Sequence, residues 1–190
     1  MRRFLTLIFL MITMGLNAQD VKVEQEFRVF ADDVPKDAIE WLEEAFGSLK
    51  RVKWYFEESK DDETYEAKFK LKGKRYSVEF DEDGDIEDVE VVKPWRKLNE
   101  GLKVKLEKSL KAYKKFKLRK IQEQWTAEKS DDLIKAIKTN DLSAITVRYE
   151  IEFRAEIENV LGYWEGLFKD SGELIKRRRI QTRPTDNFDF

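Results

Sequence analysis

The chain contains no cysteine and no histidine. Without cysteine there are no disulfides, no thiolate nucleophile, no thiolate metal site and no lipid attachment through a processed N-terminal cysteine. Without histidine the commonest general base and most transition-metal sites disappear as well. No Gly-rich phosphate loop and no Gly-x-Ser-x-Gly elbow is present. Paired carboxylates remain as candidate catalytic groups, but among 39 acidic residues some pairing arises by chance. The reading is of a protein that is not an enzyme and carries no cofactor. Long apolar runs are missing too. The one candidate, Phe4 to Leu16 behind Met1-Arg-Arg and ahead of Asn17-Ala18, is too short to span a bilayer and has the layout of a secretory signal peptide over residues 1–18. The expectation is a mature protein that is periplasmic or secreted, with no membrane span once the signal is removed.

What is present is charge and aromatic bulk. Of 190 residues, 40% are charged and 41% hydrophobic, with thirteen Phe and five Trp, enough apolar surface for a core beneath a heavily solvated exterior. The net charge of −2 is unevenly spread: residues 19–100 carry 15 basic against 24 acidic side chains, and residues 101–190 carry 20 against 15. That asymmetry gives a dipole if the halves lie side by side. An exported chain of this charge is not expected to bind nucleic acid.

The chain is organised around Tyr76 to Val92, two alternating runs that meet at Asp83-Gly84 and so read as a β-hairpin. Its aromatic, Phe and Gly spacing returns as Trp164, Phe168 and Gly172. Residues 19–33 read as an extended lead-in. Asp32-Asp33-Val34-Pro35 opens a helix whose stripe is Ala38, Ile39, Leu42, Ala45, Phe46 and Leu49. Strands follow around Trp54 and around Tyr65 to Leu71. After Pro94, Asn99 or Glu100 starts a second helix, and Ser130-Asp131-Asp132 starts a short one that reads as an insertion near 130–140. Residues Ile145 to Ile157 alternate as a long strand. The tail, 182–190, reads as loosely ordered.

Val34-Pro35, the helix ending Ala45-Phe46, Val52-Lys53-Trp54, Tyr65 to Phe69, Gly73-Lys-Arg-Tyr76 to Phe80 and Asp83-Gly84 together resemble the PepSY-like family of exported bacterial proteins, a group likened to β-lactamase inhibitory protein. The resemblance is good over 34–92 and weak over 100–180. It implies an α+β fold of two tandem helix-plus-antiparallel-sheet units, 34–93 and 94–181, with helices packed on one face of the sheet. It also implies a non-catalytic binding or inhibitory role towards a protein or peptide.

Period-two alternation independently leaves one polar face, carrying Lys53, Tyr55, Glu57, Glu66, Lys68, Lys70, Arg75, Ser77, Glu79, Arg148, Glu150, Glu152 and Arg154. Opposite charges paired across neighbouring strands would account for most of them. The alternative is a docking surface, with Tyr55 as anchor and Lys68, Lys70, Arg148, Glu150 and Arg154 around it. A different class of function, a small-ligand or ion-binding module, comes from the acidic turn. With Gly84 at the sixth position, Glu79, Asp81, Asp83, Ile86, Glu87 and Glu90 fall near the positions of a calcium loop. Its flanks alternate as strands, however, and the second copy has Leu167 and Lys169 where ligands would stand, so a solvated turn is expected. The Trp residues read as core, and Lys176 to Arg179 as a charged strand edge guarded against aggregation.

Overall fold

The computed structural model describes residues 21–22, 25–58 and 63–180; the expected signal peptide and the expected tail fall outside them. In chain order the elements are β1 Val21–Lys22, β2 Gln25–Val29, α1 Lys36–Phe46, β3 Lys53–Glu58, β4 Glu63–Leu71, β5 Lys74–Asp81, β6 Ile86–Val92, α2 Glu100–Leu110, β7 Lys114–Thr126, α3 Ser130–Thr139, β8 Thr146–Ile157, β9 Val160–Lys169 and β10 Leu174–Ile180.

Local chemistry sets the breaks between them. In α1, Asp37 lies in the first turn, Ala38, Leu42 and Ala45 form the buried stripe, and Gly47 ends the helix at φ 74°. The Asn99 side chain accepts the Leu102 N–H at 2.7 Å and caps α2, while Asn140 closes α3 in the left-handed region. Two hairpins turn on pairs of positive-φ residues, Lys72-Gly73 and Glu158-Asn159, whose twist matches that of the flanking strands.

All ten strands belong to one sheet, in the order β1-β10-β9-β8-β7-β6-β5-β4-β3-β2. Every neighbouring pair is antiparallel except the short β1, which runs parallel to β10. This overturns the expected pair of tandem helix-plus-sheet units. At the expected boundary β6 and β7 are joined in register from Val89↔Trp125 to Val92↔Gln122. The apolar packing crosses that boundary as well. Trp125 and Leu133, from the second half of the sequence, complete the cluster formed by Val34, Ala38, Leu42, Trp54, Phe69, Val78, Phe80 and Val89 in the first. The segment read as an insertion, α3, packs beside α1, and Trp41 of α1 donates its indole N–H to Ser130 Oγ at 2.6 Å. A β-strand edge with no partner exposes a row of backbone donors and acceptors, so continuation of the sheet through β7 satisfies groups that separate units would leave open.

The three helices lie on one face. Helices α1 and α3 cover the cluster just named, and α2 places Leu102, Leu106 and Leu110 on Ile151, Phe153, Trp164 and Phe168. The two hairpin turns read from the sequence each meet a helix. Gly84 lies against Pro35 and Ala38, and Gly172 against the Lys105 backbone. Both turns use the same hydrogen bonds: Asp81 N–H to Asp85 O and Gly84 N–H to Asp81 O in one, Lys169 N–H to Glu173 O and Gly172 N–H to Lys169 O in the other.

Candidate functional site

None of the described helices lies on the opposite face of the sheet, yet Glu66, Ser77, Asp88, Glu90, Gln122 and Glu165 are buried on it, each no more than 7% exposed. Chain connectivity explains how. Strands β1 and β2 sit at opposite edges of the sheet, and only residues 23 and 24 separate them in sequence. Three residue steps reach at most about 11 Å, and each strand pairing adds about 4.8 Å, so at this end β10 and β3 stand within roughly 20 Å of each other. The sheet is therefore curled, and the burial of these polar side chains without a described helix over them puts their face on the inner, concave side.

Side chains on this face follow cross-strand rows. One row runs Tyr55↔Glu66↔Glu79↔Asp88, and the next runs Lys53↔Lys68↔Ser77↔Glu90↔Gln124↔Arg148↔Lys169. Lys70 faces Arg75. Glu66, Glu79 and Asp88 thus stand side by side and Lys53 faces Lys68, while Lys68 meets its opposite charges in Glu26 and Glu66, as the expected pairing of opposite charges requires. Like charges directly opposite are destabilising. Across β7 to β10 compensation is closer to that expectation, with Lys120 2.5 Å from Glu152 and Arg178 3.9 Å from Glu165.

One corner of the face is held by Lys68. Its Nζ lies 4.7 Å from the Tyr55 ring centroid and 2.6 Å from both Glu26 Oε1 and Glu66 Oε2, spanning three strands. Burial pushes the Glu66 carboxyl upward. The Lys68 charge, with hydrogen bonds from Glu57, Lys68 and Ser77, overcomes that and holds it at about 2. Burial likewise disfavours the Lys68 ammonium, but Glu66, Glu26 and Glu57 outweigh it and raise its pKa. Glu26, Glu57 and Glu66 are, among the described residues, the one trio of carboxylates with oxygens within 4.8 Å of one another. The lysine ammonium already stands between two of them, as a metal ion would.

The centre of the face is acidic. Gln122 Nε2 donates to Glu90 Oε2, and Gln124 Nε2 donates to Asp88 Oδ2 at 2.8 Å. Burial, then Glu79, Glu150, Glu87 and Glu66, push the Asp88 carboxyl well above its usual range. Burial, then Glu150, Asp88 and Glu79, do the same to Glu90 against the opposing charge of Lys120. Three buried oxygens here, Asp88 Oδ1, Gln122 Oε1 and Gln124 Oε1, have no hydrogen-bond partner among the described residues.

Of the residues singled out from the sequence, Tyr55 and Lys68 are in contact, Lys70 is exposed on the same strand, and Arg148 and Glu150 lie on β8 in register with Gln124 and Gln122. Arg154 is exposed at the far end of β8, opposite Lys117. Asp88, Gln122 and Gln124 were not among them, and Glu90 was named only as a position of the calcium loop. The alternation of Val89 and Val91 against Asp88 and Glu90 carried the signal for two. The acidic turn is not built as a calcium loop. Its flanks are β5 and β6, and Asp81 Oδ1 accepts the N–H groups of Asp83 at 3.1 Å and Asp85 at 2.8 Å.

No protein-family model and no curated protein matches the chain. Solved structures do. A DUF2874 family protein from Bacteroides uniformis aligns with 77% of this chain and 89% of its own at 14% identity and a TM-score of 0.52. A protein described as periplasmic, from Bacteroides eggerthii, aligns over 77% of this chain and 88% of its own at 11% identity and a TM-score of 0.52. A BLIP-like protein from Bacteroides fragilis aligns over 82% and 92% at 13% identity and a TM-score of 0.50. At these identities the likeness is one of fold. Among the described residues no helix is long and apolar enough to cross a membrane.

Proposed function

We propose that this is an exported, non-catalytic protein that engages a protein or peptide segment through the concave polar face of its sheet. The observation that carries the reading is the burial of Glu66, Ser77, Asp88, Glu90 and Gln122 on a face that none of the described helices covers, with the acids Glu66, Glu79 and Asp88 side by side across it. Such an arrangement costs stability in the isolated chain and gains a use when a complementary surface docks. The contact residues are Tyr55, Lys68, Lys70, Arg148, Glu150 and Arg154. Tyr55, braced by Lys68, supplies the aromatic anchor that interface hot spots favour. The PepSY-like resemblance of residues 34–92 and the fold shared with a BLIP-like protein and a periplasmic protein support both the export and the binding role.

The test is affinity capture from a cell-envelope extract with quantitative mass spectrometry, comparing the native protein with the Tyr55→Ala, Arg148→Ala double variant. The expected outcome is at least about tenfold less of the captured partner, the equivalent of roughly 1.4 kcal/mol. Lys108→Ala, exposed on the helical side, serves as control. Equal capture by all three proteins would rule this surface out.

A further inference from the structure

We propose that the acidic centre of the concave face, formed by Glu79, Asp88, Glu90 and Glu150 with the amide oxygens of Gln122 and Gln124, receives the guanidinium of an arginine presented by the partner protein. This rests on the open-face reading above and adds the chemistry of what docks there.

The first support is a set of acceptors in want of donors. Gln122 and Gln124 have each given an amide N–H to a neighbouring acid, which leaves Gln122 Oε1 and Gln124 Oε1 buried with no donor, and Asp88 Oδ1 buried with no hydrogen-bond partner, among the described residues. Gln122 is only 3% exposed, and a buried acceptor left without a donor is costly. The second support is charge. The groups facing the centre are Glu66 and Lys68 on β4, Glu87 on β6, Lys120 on β7, and Arg148 and Glu152 on β8. Lys68 is bound to Glu26 and Glu66, and Lys120 to Glu152 at 2.5 Å, so the nearest lysines serve other carboxylates as well.

The third support is spacing. No three carboxylates of this centre have oxygens within 4.8 Å of one another, the condition that Glu26, Glu57 and Glu66 alone meet among the described residues. A single small ion would leave most of these oxygens out of reach. A planar guanidinium, with five N–H donors in a fixed fork and weak hydration, matches several spread acceptors at once. Burial and mutual repulsion hold protons on Asp88 and Glu90, so seating a cation expels protons and binding strengthens as pH rises.

The probe is acetyl-arginine-amide, with neutral acetyl-citrulline-amide and calcium chloride as comparisons. The readout is the side-chain amide resonances of Gln122 and Gln124 in the full-length protein. Arginine is expected to shift both, saturating with a dissociation constant on the order of millimolar, and more tightly at about pH 8 than at about pH 5. Citrulline is expected to leave them unmoved. Glu90→Gln, which keeps the shape and removes the charge, is expected to weaken the response about tenfold. Equal shifts with citrulline, a calcium response without an arginine response, or an unchanged response in Glu90→Gln would each overturn the proposal. Silence towards arginine alongside capture that still depends on Tyr55 and Arg148 would sink the arginine site and leave the docking face standing. An arginine response alongside indifferent capture would do the reverse.

Discussion

Lys68 shows how a charged side chain is kept inside a sheet face. It is bound on two sides by Glu26 and Glu66 and lies over Tyr55, and Glu66 in turn accepts from the Ser77 hydroxyl. Removing one partner of a buried pair strands the other. Lys68→Met is therefore expected to destabilise the protein by about 3–5 kcal/mol in urea unfolding, and Lys68→Met with Glu66→Gln to recover most of that loss. The acids of this face also pull stability in opposite directions with pH. Glu66, held at about 2, contributes stability that is present above its ordinary range and is lost as pH falls towards that value. Asp88 and Glu90, raised by burial, contribute stability that is complete at low pH and is lost as pH rises through their elevated folded values. Asp88→Asn should consequently raise the melting temperature by about 2–4 °C at alkaline pH, with the gain shrinking on acidification. A gain that persists at acidic pH would contradict this account. The period of the sequence was enough to place Lys53, Tyr55, Glu66, Lys68 and Arg148 on one face. It was not enough for Gln122 and Gln124, because the lysines of residues 114–120 blur the alternation of β7.

At the scale of elements, the hairpins were the most legible features, and the structure adds what they touch. Gly84 has φ 92° and Gly172 has φ 79°; a Cβ at Gly84 would stand 2.8 Å from Pro35 Cβ at the start of α1, and one at Gly172 would stand 2.7 Å from the Lys105 backbone in α2. The Lys105 backbone cannot move aside as a flexible side chain could. Gly172→Ala therefore combines left-handed strain with a clash and is expected to cost about 2 kcal/mol or more in chemical denaturation. Gly73→Ala, at φ 77° but with nothing within 4 Å, should cost only the strain, about 1 kcal/mol. The difference between the two isolates the turn-to-helix contact. Helix α3 was legible as a helix from its Ser-Asp-Asp start and Asn140 end. Its place beside α1 was not, since the hydrogen bond from Trp41 to Ser130 joins residues 89 apart in sequence.

For the whole molecule, the repeated spacing suggested two units, and the sheet joins them into one. Local periodicity records which face of each strand is apolar, but it holds no record of strand neighbours, and the pairing of β6 with β7 is fixed only by the completed fold. One sheet with packing shared across it predicts a single cooperative unfolding transition, coincident by tryptophan fluorescence and far-ultraviolet circular dichroism. A fragment ending at residue 93 should not fold by itself. It would lose Trp125 and Leu133 from its core and leave β6 as a bare edge. Two separable transitions, or a soluble folded fragment with native-like dispersion of amide resonances, would count against that description.

The short stretch from β1 to β2, which pairs with both outer strands, has a consequence of size rather than charge. The link is too short to let β1 and β2 stand more than about 11 Å apart, so the sheet cannot open flat at that end while both pairings hold. Whatever lies on the polar face meets a sheet whose curl is fixed by chain length before any charge is read.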